Sequence, residues 1–458
     1  MQQNVPRLAC AASLILVSGS LAVAQGSNSP TKGPFQFTPV PASAACVPGG
    51  AGTYLNEQPF ILPEGYTQTV IARQGDGGTI DNWDMNTLNE RGPHAGRFLY
   101  RSHETTTNGM ISVTDLKTGD TRVLVQSPYW NRLDGIVWTP WNTLLVAEEM
   151  RPERQPSTSD PRVPQARAGL LYEVDPETGV EVPRPALGAR AHEGIRFDPQ
   201  GNVYGISETA PTTVVTPPAT PDQPPPIPRA APGGYIFKFT PDTRGDLSSG
   251  QLYALKIVAP TGDRIGEAVW VPLDRELVQI DADVAATTAG ATGYARPEDV
   301  EIATSTGNNR GGANVLYVAV TDEHRVLRLD LAGGGNTKED TVYVSEYVAR
   351  GVNASADFAN PDNLALDKNG NLYITEDTST ENGGMDIWVA VTGKRQHEVA
   401  EQIVRFASLT DCTAEPSGVY FDKSGTTLFV NVLHRGAADS LAPQDLDLSV
   451  MITRTRRD

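Results

Sequence analysis

The chain has 458 residues, and aspartate and glutamate outnumber lysine and arginine to a formal net charge of -18. This balance excludes a nucleic-acid-binding protein, whose affinity depends on basic side chains that neutralise phosphates. An acidic surplus favours a solvated surface or clustered carboxylates that bind cations, and the length allows one large β-domain or two ordinary domains.

The N-terminal residues are typical of a secretory signal peptide. Arg7 precedes a short apolar stretch, and Ala22-Val23-Ala24 forms a small-residue cleavage pattern. We therefore predict a signal peptide over residues 1–24 with cleavage near Gln25, and Sec export because no arginine pair is present. No later segment is long and apolar enough to span a bilayer. The expected product is secreted, periplasmic or extracellular, and monomeric.

A proline- and glycine-rich lead-in follows over residues 25–60. Cleavage of the signal peptide leaves Cys46 in this lead-in and Cys412 near the C-terminus, in a compartment where disulfides persist. The sequence leaves two arrangements open, which are a disulfide that joins the two ends of the fold and a pair of unrelated buried thiols.

Short β-rich segments recur along residues 61–458. The clearest copies read FDPQGNVYGISE, LDKNGNLYITED and FDKSGTTLFVNV and start at Phe197, Leu366 and Phe421. Propeller blades repeat at about 40 to 50 residues, and no segment has a sustained helical period. We therefore predict an all-β fold, a six-bladed β-propeller, with a solenoid or tandem sandwiches as alternatives. The proline-rich residues 209–233 are expected to form an exposed loop inserted into this domain.

Acidic residues flank many of these strands. In a propeller, the ends of the inner strands converge at one mouth of the central channel, so carboxylates far apart in sequence become neighbours. Several buried carboxylates repel one another unless cations neutralise them, and hard oxygen ligands select calcium, magnesium or high-valent iron over zinc. The candidates are Glu104, Asp134, Glu148, Glu149, Glu193, Glu208, Asp322, Glu323, Asp362, Glu376 and Asp377.

The segment ARPEDVEI, which starts at Ala295, places Arg296 and Glu298 two residues apart. On an extended strand this spacing points both side chains to one face, where the arginine could hold an anion and the glutamate a metal ion. An ordinary surface ion pair is the alternative. No Gly-x-Ser-x-Gly elbow is present, and no glycine-rich loop leads into a helix, so neither a serine hydrolase nor a phosphate-binding loop is indicated.

The order of the motifs SHETT, AHEG, ARPEDVEI and NPDN resembles that of the bacterial PhoX-type alkaline phosphatases. The resemblance implies a secreted phosphomonoesterase whose six-bladed propeller holds calcium and ferric ions at the channel mouth. It implies that Glu193, Glu298 and Asp362 are metal ligands and that Arg296 binds the phosphoryl oxygens beside Glu298. It also implies candidates for the calcium side of the cluster, which are Glu104, Glu148, Glu149, Glu376 and Asp377.

The sequence departs from the family pattern at one position. In the family, a cysteine that ligates iron precedes a Thr-Pro-Trp motif, and counting back from Thr139-Pro140-Trp141 places Asp134 in that slot. Neither Cys46 nor Cys412 matches it by sequence position. Because an aspartate is a harder ligand than a thiolate, the change favours all-oxygen coordination. We therefore expect calcium, whereas iron is implied only by the resemblance.

The sequence supports three hypotheses about function. The first is a metal-dependent phosphatase that hydrolyses small-molecule phosphate monoesters and releases inorganic phosphate. The second is a calcium-dependent lactonase or esterase, since calcium in a propeller channel can also polarise a carbonyl group. The third is a secreted propeller that binds calcium without catalysis. The Arg296 and Glu298 pair favours the first, because a guanidinium binds an anionic phosphate better than a neutral lactone.

Overall fold

A computed structural model describes residues 36–46, 58–152, 159–214, 229–304, 314–331, 341–377, 385–392, 399–433 and 446–455. The predicted signal peptide and part of the lead-in lie outside these ranges. Among the residues that the structure describes, no helix is long and apolar enough to cross a membrane.

Strands dominate the described ranges, and side chains on strands inside the sheets are buried on both faces. The strand Val315–Val320 reads VLYVAV and is buried throughout, whereas the outer strand Thr121–Gln126 is partly exposed along its whole length. This difference is typical of stacked sheets, because only the outer edge of each sheet meets solvent. In chain order the strands are β1 (Phe60–Ile61), β2 (Tyr66–Arg73), β3 (Trp83–Leu88), β4 (Phe98–His103), β5 (Met110–Asp115), β6 (Thr121–Gln126), β7 (Leu133–Trp138), β8 (Leu144–Glu148), β9 (Leu171–Val174), β10 (Glu181–Pro183), β11 (Ile195–Phe197), β12 (Val203–Ile206), β13 (Thr212–Val214), β14 (Arg229–Ala231), β15 (Ile236–Thr243), β16 (Asp246–Gly262), β17 (Ile265–Pro272), β18 (Pro297–Ala303), β19 (Val315–Val320), β20 (Arg325–Leu331), β21 (Thr341–Ala349), β22 (Pro361–Leu366), β23 (Leu372–Glu376), β24 (Asp386–Val391), β25 (Gln402–Leu409), β26 (Glu415–Phe421), β27 (Thr427–Leu433) and β28 (Leu448–Arg454).

The helical content of the described ranges is small. The α-helix α1 (Ala282–Ala289) begins after Asp281, whose side chain accepts a hydrogen bond from the Val284 N–H, and ends at Gly290 in the left-handed conformation. The remaining helical turns are of the 3-10 type and are Asp76–Gly78, Pro185–Leu187, Leu277–Gln279 and Thr321–Glu323.

The strands form antiparallel meanders. Two four-stranded sheets have the orders β3-β4-β5-β6 and β7-β8-β9-β10, and a nine-stranded sheet has the order β11-β12-β15-β16-β17-β21-β20-β19-β18. In the nine-stranded sheet, β17 pairs with both β16 and β21 and so joins two meanders. The first strands contact one another in a closed ring, β3-β7-β11-β18-β22-β26 and back to β3. The predicted all-β, propeller-like fold is confirmed.

The N-terminal strands complete sheets built from the C-terminal part of the chain. β1 pairs with β25 at the edge of β22-β23-β24-β25, and β2 pairs with β28 at the edge of β26-β27-β28. Cys46 and Cys412 form a disulfide with a Cα–Cα distance of 5.2 Å. Of the two arrangements that the sequence leaves open, the bridge is therefore the one found, and strand pairing and a covalent bond both hold the ends of the domain together.

The proline-rich insertion is more ordered at its base than the sequence predicts. Its flanks pair as the hairpin β13 and β14, so the expectation of a loop over all of residues 209–233 is wrong at Thr212–Val214 and Arg229–Ala231. Residues 215–228, which hold most of the prolines, lie outside the described ranges.

Candidate metal centre

One irregularity recurs at the start of the inner strands and places acidic side chains at the channel. In β7, the two residues between Leu133 and Ile136 oppose a single residue on β8, and the same one-residue bulge occurs near the start of β3, β18, β22 and β26. A bulge bends the strand and redirects its side chains. An acidic residue occupies the bulge in four of these strands, namely Asp84, Asp134, Glu298 and Asp362.

Two further acidic residues join this set, because Glu193 precedes β11 and Glu415 begins β26. We refer to Asp84, Asp134, Glu193, Glu298, Asp362 and Glu415 as the inner carboxylates. They are between 2% and 7% exposed. All except Asp134 line a cavity of about 210 Å³ at this mouth of the channel.

The backbone before the inner carboxylates follows a shared pattern. Four residues that lie two positions before an inner carboxylate have a left-handed conformation, with φ of 57° at Asn82, 50° at Arg132, 54° at Arg296 and 39° at Asn360. Each of their carbonyl oxygens accepts a hydrogen bond of 2.8 to 2.9 Å from a residue that follows the second strand of the same meander. The donors are the N–H groups of Glu104, Glu149, Thr321 and Asp377.

Two arginines pair with the acidic residues that follow the second strands. Arg132 pairs with Glu104 and, at 2.7 Å from its Nη2 atom, with Glu149. Arg296 lies 2.6 Å from Glu208 Oε1 through Nε and 2.6 Å from Asp377 Oδ2 through Nη1. We call Glu104, Glu149, Glu208 and Asp377 the outer carboxylates.

Arg296 also forms an ion pair with one inner carboxylate, Glu298. Its Nη2 atom lies 2.9 Å from Glu298 Oε1, an ion pair without hydrogen-bond alignment. Arg296 and Glu298 therefore face the same cavity, as their spacing predicts. Surrounding carboxylates raise the pKa of Arg296 despite its burial, so the guanidinium stays charged.

The positive groups around the inner carboxylates do not balance the negative charge that these side chains would carry if all were ionised. Burial and the charges of Asp84 and Glu104 raise the pKa of Asp134 well above its usual range, and burial with Asp134 and Asp362 does the same to the pKa of Glu193. Burial raises the pKa of Glu298 to about 8, although Arg296 opposes it. A cation at this mouth would favour the ionised carboxylates and so oppose these shifts.

The side chains around Asp134 have the chemistry of a hard-cation site. One carboxylate oxygen from each of Asp134, Glu149 and Glu193 lies within 4.8 Å of the others. Asp134 Oδ1 and Glu193 Oε2 are buried and have no hydrogen-bond partner within the described part of the chain. Buried oxygens of this kind are suited to coordinate an ion. The donor set therefore fits a metal ion that prefers oxygen ligands.

The structure does not bring Glu148 and Glu376 into this cluster. Glu148 accepts hydrogen bonds from the N–H groups of Asn131 and Leu170, each at 2.9 Å. Glu376 accepts from the Ala359 N–H and from the Trp388 indole. Adjacent residues at a strand end point to opposite sides. Glu149 therefore lines the cavity and Asp377 pairs with Arg296, whereas the side chains that precede them point away. We therefore correct the expected ligand set by leaving out Glu148 and Glu376.

Several site residues were missed by the sequence analysis. Asp84, Glu415 and Arg132 line the cavity together with Arg151. A signal for Arg132 was present, because Arg132-Leu133-Asp134 repeats the spacing of Arg296-Pro297-Glu298. The described residues that line the cavity include no cysteine or histidine.

The comparison with protein families gives this site a chemical context. The family described as Alkaline phosphatase PhoX matches residues 135–436, which is more than half of the chain. The chain belongs to the PhoX alkaline phosphatase family. Membership supports a phosphatase of the hydrolase class, and the PhoX family depends on metal ions. No curated protein sequence matches the chain.

Several solved structures are similar to this chain at low sequence identity. Pseudomonas fluorescens PhoX in complex with vanadate, a transition state analogue, matches with a TM-score of 0.62 and 17% identity over 90% of this chain and 98% of that chain. The gluconolactonase XC5397 from Xanthomonas campestris matches with a TM-score of 0.45 and 13% identity, over 90% and 96% of the two chains. A virginiamycin B lyase from Staphylococcus aureus matches with a TM-score of 0.41 and 12% identity, over 85% and 99%.

Cys46 and Cys412 supply no thiolate to the PhoX site of this chain. Their sulfur atoms are bonded to each other in the disulfide. Asp134, which stands where the family resemblance calls for a cysteine, instead contributes a carboxylate to the group with Glu149 and Glu193.

Proposed function

We propose that the protein is a secreted, metal-dependent phosphatase that hydrolyses phosphate monoesters of small molecules at the inner carboxylates. The observation that carries this proposal is the convergence of six buried carboxylates on one cavity mouth beside Arg296. The signal-peptide pattern and the Cys46–Cys412 bridge support export.

The ligands we assign to metal ions fall into two neighbouring groups. Asp134, Glu149 and Glu193 form the first, and Glu298 and Asp362 form the second. Asp84 and Glu415 add negative charge at the same mouth. Cations held there would supply Lewis-acid chemistry, which polarises an ester and lowers the pKa of a bound water.

Arg296 is the residue that we assign to the phosphoryl oxygens. Its guanidinium is held on three sides by Glu208, Glu298 and Asp377, so its direction toward the cavity is fixed before a substrate arrives. A planar guanidinium donates parallel, charge-assisted hydrogen bonds to two phosphate oxygens. Glu298 has a double role, since it orients Arg296 and offers its carboxylate to a cation. Glu104 and Asp377 orient the two arginines from the outer side.

Calcium is the cation that this donor set favours. The groups that we assign as ligands are carboxylates, which calcium prefers, and Asp134 replaces the soft ligand that would favour iron. We also propose that the domain is a six-bladed propeller in which β17 joins two blades into the nine-stranded sheet. The closed ring of six first strands supports this count.

Metal analysis together with an aryl phosphate assay tests the proposal. We expect the purified wild type to contain calcium and no iron, to lose phosphate release on chelation, and to regain it with calcium. Asp134→Cys should bind iron, because a thiolate then stands in the cluster.

Iron in the wild type would contradict the calcium assignment. If metal-replete, folded protein released phosphate from no monoester, the phosphatase proposal would be wrong, and hydrolysis of a lactone under the same conditions would favour the lactonase alternative.

A further inference from the structure

A second arginine faces the same cavity as Arg296. Arg132 lines the cavity, and its side chain is 31% exposed, compared with 23% for Arg296. Both residues have a left-handed conformation two positions before an inner carboxylate. Their backbones therefore project the two guanidinium groups from equivalent positions of two different meanders, and Arg132 is the more accessible to a dissolved anion.

Two carboxylates separate the guanidinium groups. Arg132 pairs with Glu149, Glu149 lies beside Glu208, and Glu208 pairs with Arg296. The order of charges along this line is positive, negative, negative, positive. Arg132 and Arg296 are thus distinct positive positions on the wall of one cavity, and each is suited to its own anionic group.

Arg132 and a bound cation would compete for the negative charge of Glu149. Glu149 pairs with Arg132, and it belongs to the three-carboxylate group with Asp134 and Glu193. A cation bound by that group would neutralise Glu149 and leave Arg132 with Glu104 as its main counter-charge. Arg132 then has positive charge available for an anion that enters the cavity.

We propose that Arg132 binds a second anionic group of the substrate, so that the preferred substrates are phosphate monoesters whose leaving group carries a carboxylate or a further phosphate. This inference rests on the proposed function, since Arg296 is taken to bind the phosphate that reacts. Arg132 acts on selectivity, because it contacts the part of the substrate that departs.

Matched substrates that differ by one charge test this selectivity. Carboxyalkyl phosphates of increasing chain length are compared with their carboxamides, which have the same shape and no charge. For the chain length that reaches Arg132, we expect kcat/KM of the wild type to be about tenfold higher for the carboxylate, the effect of one hydrogen bond between charged groups. Arg132→Gln should bring this ratio close to one, and Arg132→Lys should retain part of it.

Arg151→Gln is the matched control, because Arg151 lines the same cavity. We expect this variant to keep the preference for the carboxylate. A ratio within one enzyme also cancels any general loss of activity that a substitution causes. The proposal would be overturned if the wild type hydrolysed carboxylate and carboxamide equally at every chain length, or if Arg151→Gln rather than Arg132→Gln abolished the preference.

Binding of carboxyalkyl phosphonates, which are not hydrolysed, separates this inference from the proposed function. Calorimetry on the calcium-loaded protein should show tighter binding of the carboxylate than of the carboxamide, and Arg132→Gln should remove the difference. Such binding without hydrolysis of any ester would contradict the proposed function and support the anion site. Hydrolysis without any discrimination in binding would contradict the anion site alone.

Discussion

The two ends of the central channel are built from the same inner strands but differ in charge balance. The mouth that holds the inner carboxylates, which we call the acidic mouth, lies at the strand starts, where Asp134 and Glu298 are located. The ends of β7, β11, β18, β22 and β26 line a larger cavity of about 400 Å³ at the opposite mouth. There Arg196 Nε lies 2.9 Å from Glu301 Oε2, and the hydroxyl of Tyr420 donates a hydrogen bond to Glu90.

This comparison shows that uncompensated buried charge identifies the candidate site better than cavity volume does. At the opposite mouth, the buried Arg196 and the partly buried Glu301 compensate each other. At the acidic mouth, Arg296 is shared among three carboxylates, and Asp134 and Glu193 keep buried oxygens without a hydrogen-bond partner in the described ranges. Excess buried charge lowers stability unless a ligand compensates it, so its presence indicates binding.

The largest expected effect comes from removing Arg296 at the acidic mouth, compared with removing an arginine at the opposite mouth. Arg296→Gln should lower kcat for an aryl phosphate by about 100- to 1000-fold, because a positioned donor to the transition state is lost. Arg91→Gln is the control, since Arg91 lines the opposite mouth and its side chain is exposed. We expect its activity to stay within about twofold of the wild type. Similar losses in both variants would remove the functional distinction between the two ends.

Much of the fold was predictable from the sequence because it depends on local patterns. Alternating strands and turn residues repeat along the chain, and Glu193, Glu298 and Asp362 lie beside recognisable motifs. The choice between Glu148 and Glu149 was not predictable, because it depends on which side of the strand end faces the channel. The bulges in the inner strands were not predictable either, because no short sequence pattern marks a bulge.

The remaining features depend on contacts between distant parts of the chain. Asp84 and Glu415 reach one cavity because β26 packs against β3 and closes the ring. The pairing of Cys46 with Cys412 depends on the same closure, since β1 and β2 join sheets from the C-terminal part. Arg132 has charged partners that come from two separate strand ends, so its place in the site follows from the assembled ring.

Calcium should stabilise the fold through the acidic mouth alone. At a calcium concentration about 100 times the Kd, the free energy of unfolding should rise by about 2.7 kcal/mol. Glu193→Gln should lose most of this increment, because Glu193 belongs to the three-carboxylate group. Urea denaturation with calcium and with a chelator measures the increment.

The matched variant at the other mouth is Glu301→Gln. Glu301 pairs with Arg196, so this change lowers the overall stability, but the increment from calcium should remain. An equal loss of the increment in both variants would mean that calcium binding is not confined to the acidic mouth.

The smallest expected effect concerns Asp283, which supports the acidic mouth from outside the ring of inner strands. Its Oδ2 atom accepts hydrogen bonds from Ser207 at 2.7 Å and Thr209 at 2.8 Å, the residues on either side of Glu208. We expect Asp283→Asn to lower kcat/KM about fivefold, because Glu208 then holds Arg296 less firmly. Asp274→Asn is the control, since Asp274 is exposed and accepts hydrogen bonds from the nearby Glu276 and Leu277 N–H groups.

The pH dependence of the free energy of unfolding is a second test of the role of Asp283. Burial raises its pKa from 3.8 to about 6, so the stability that its protonated form contributes is complete below pH 3.8 and is lost as the pH rises through 6. Because the side chain is partly exposed, we expect this loss to be about 1 kcal/mol. The free energy of unfolding of Asp283→Asn should therefore fall less between acidic and neutral pH than that of the wild type. An identical fall in both proteins, with unchanged kcat/KM, would show that Asp283 does not support Glu208.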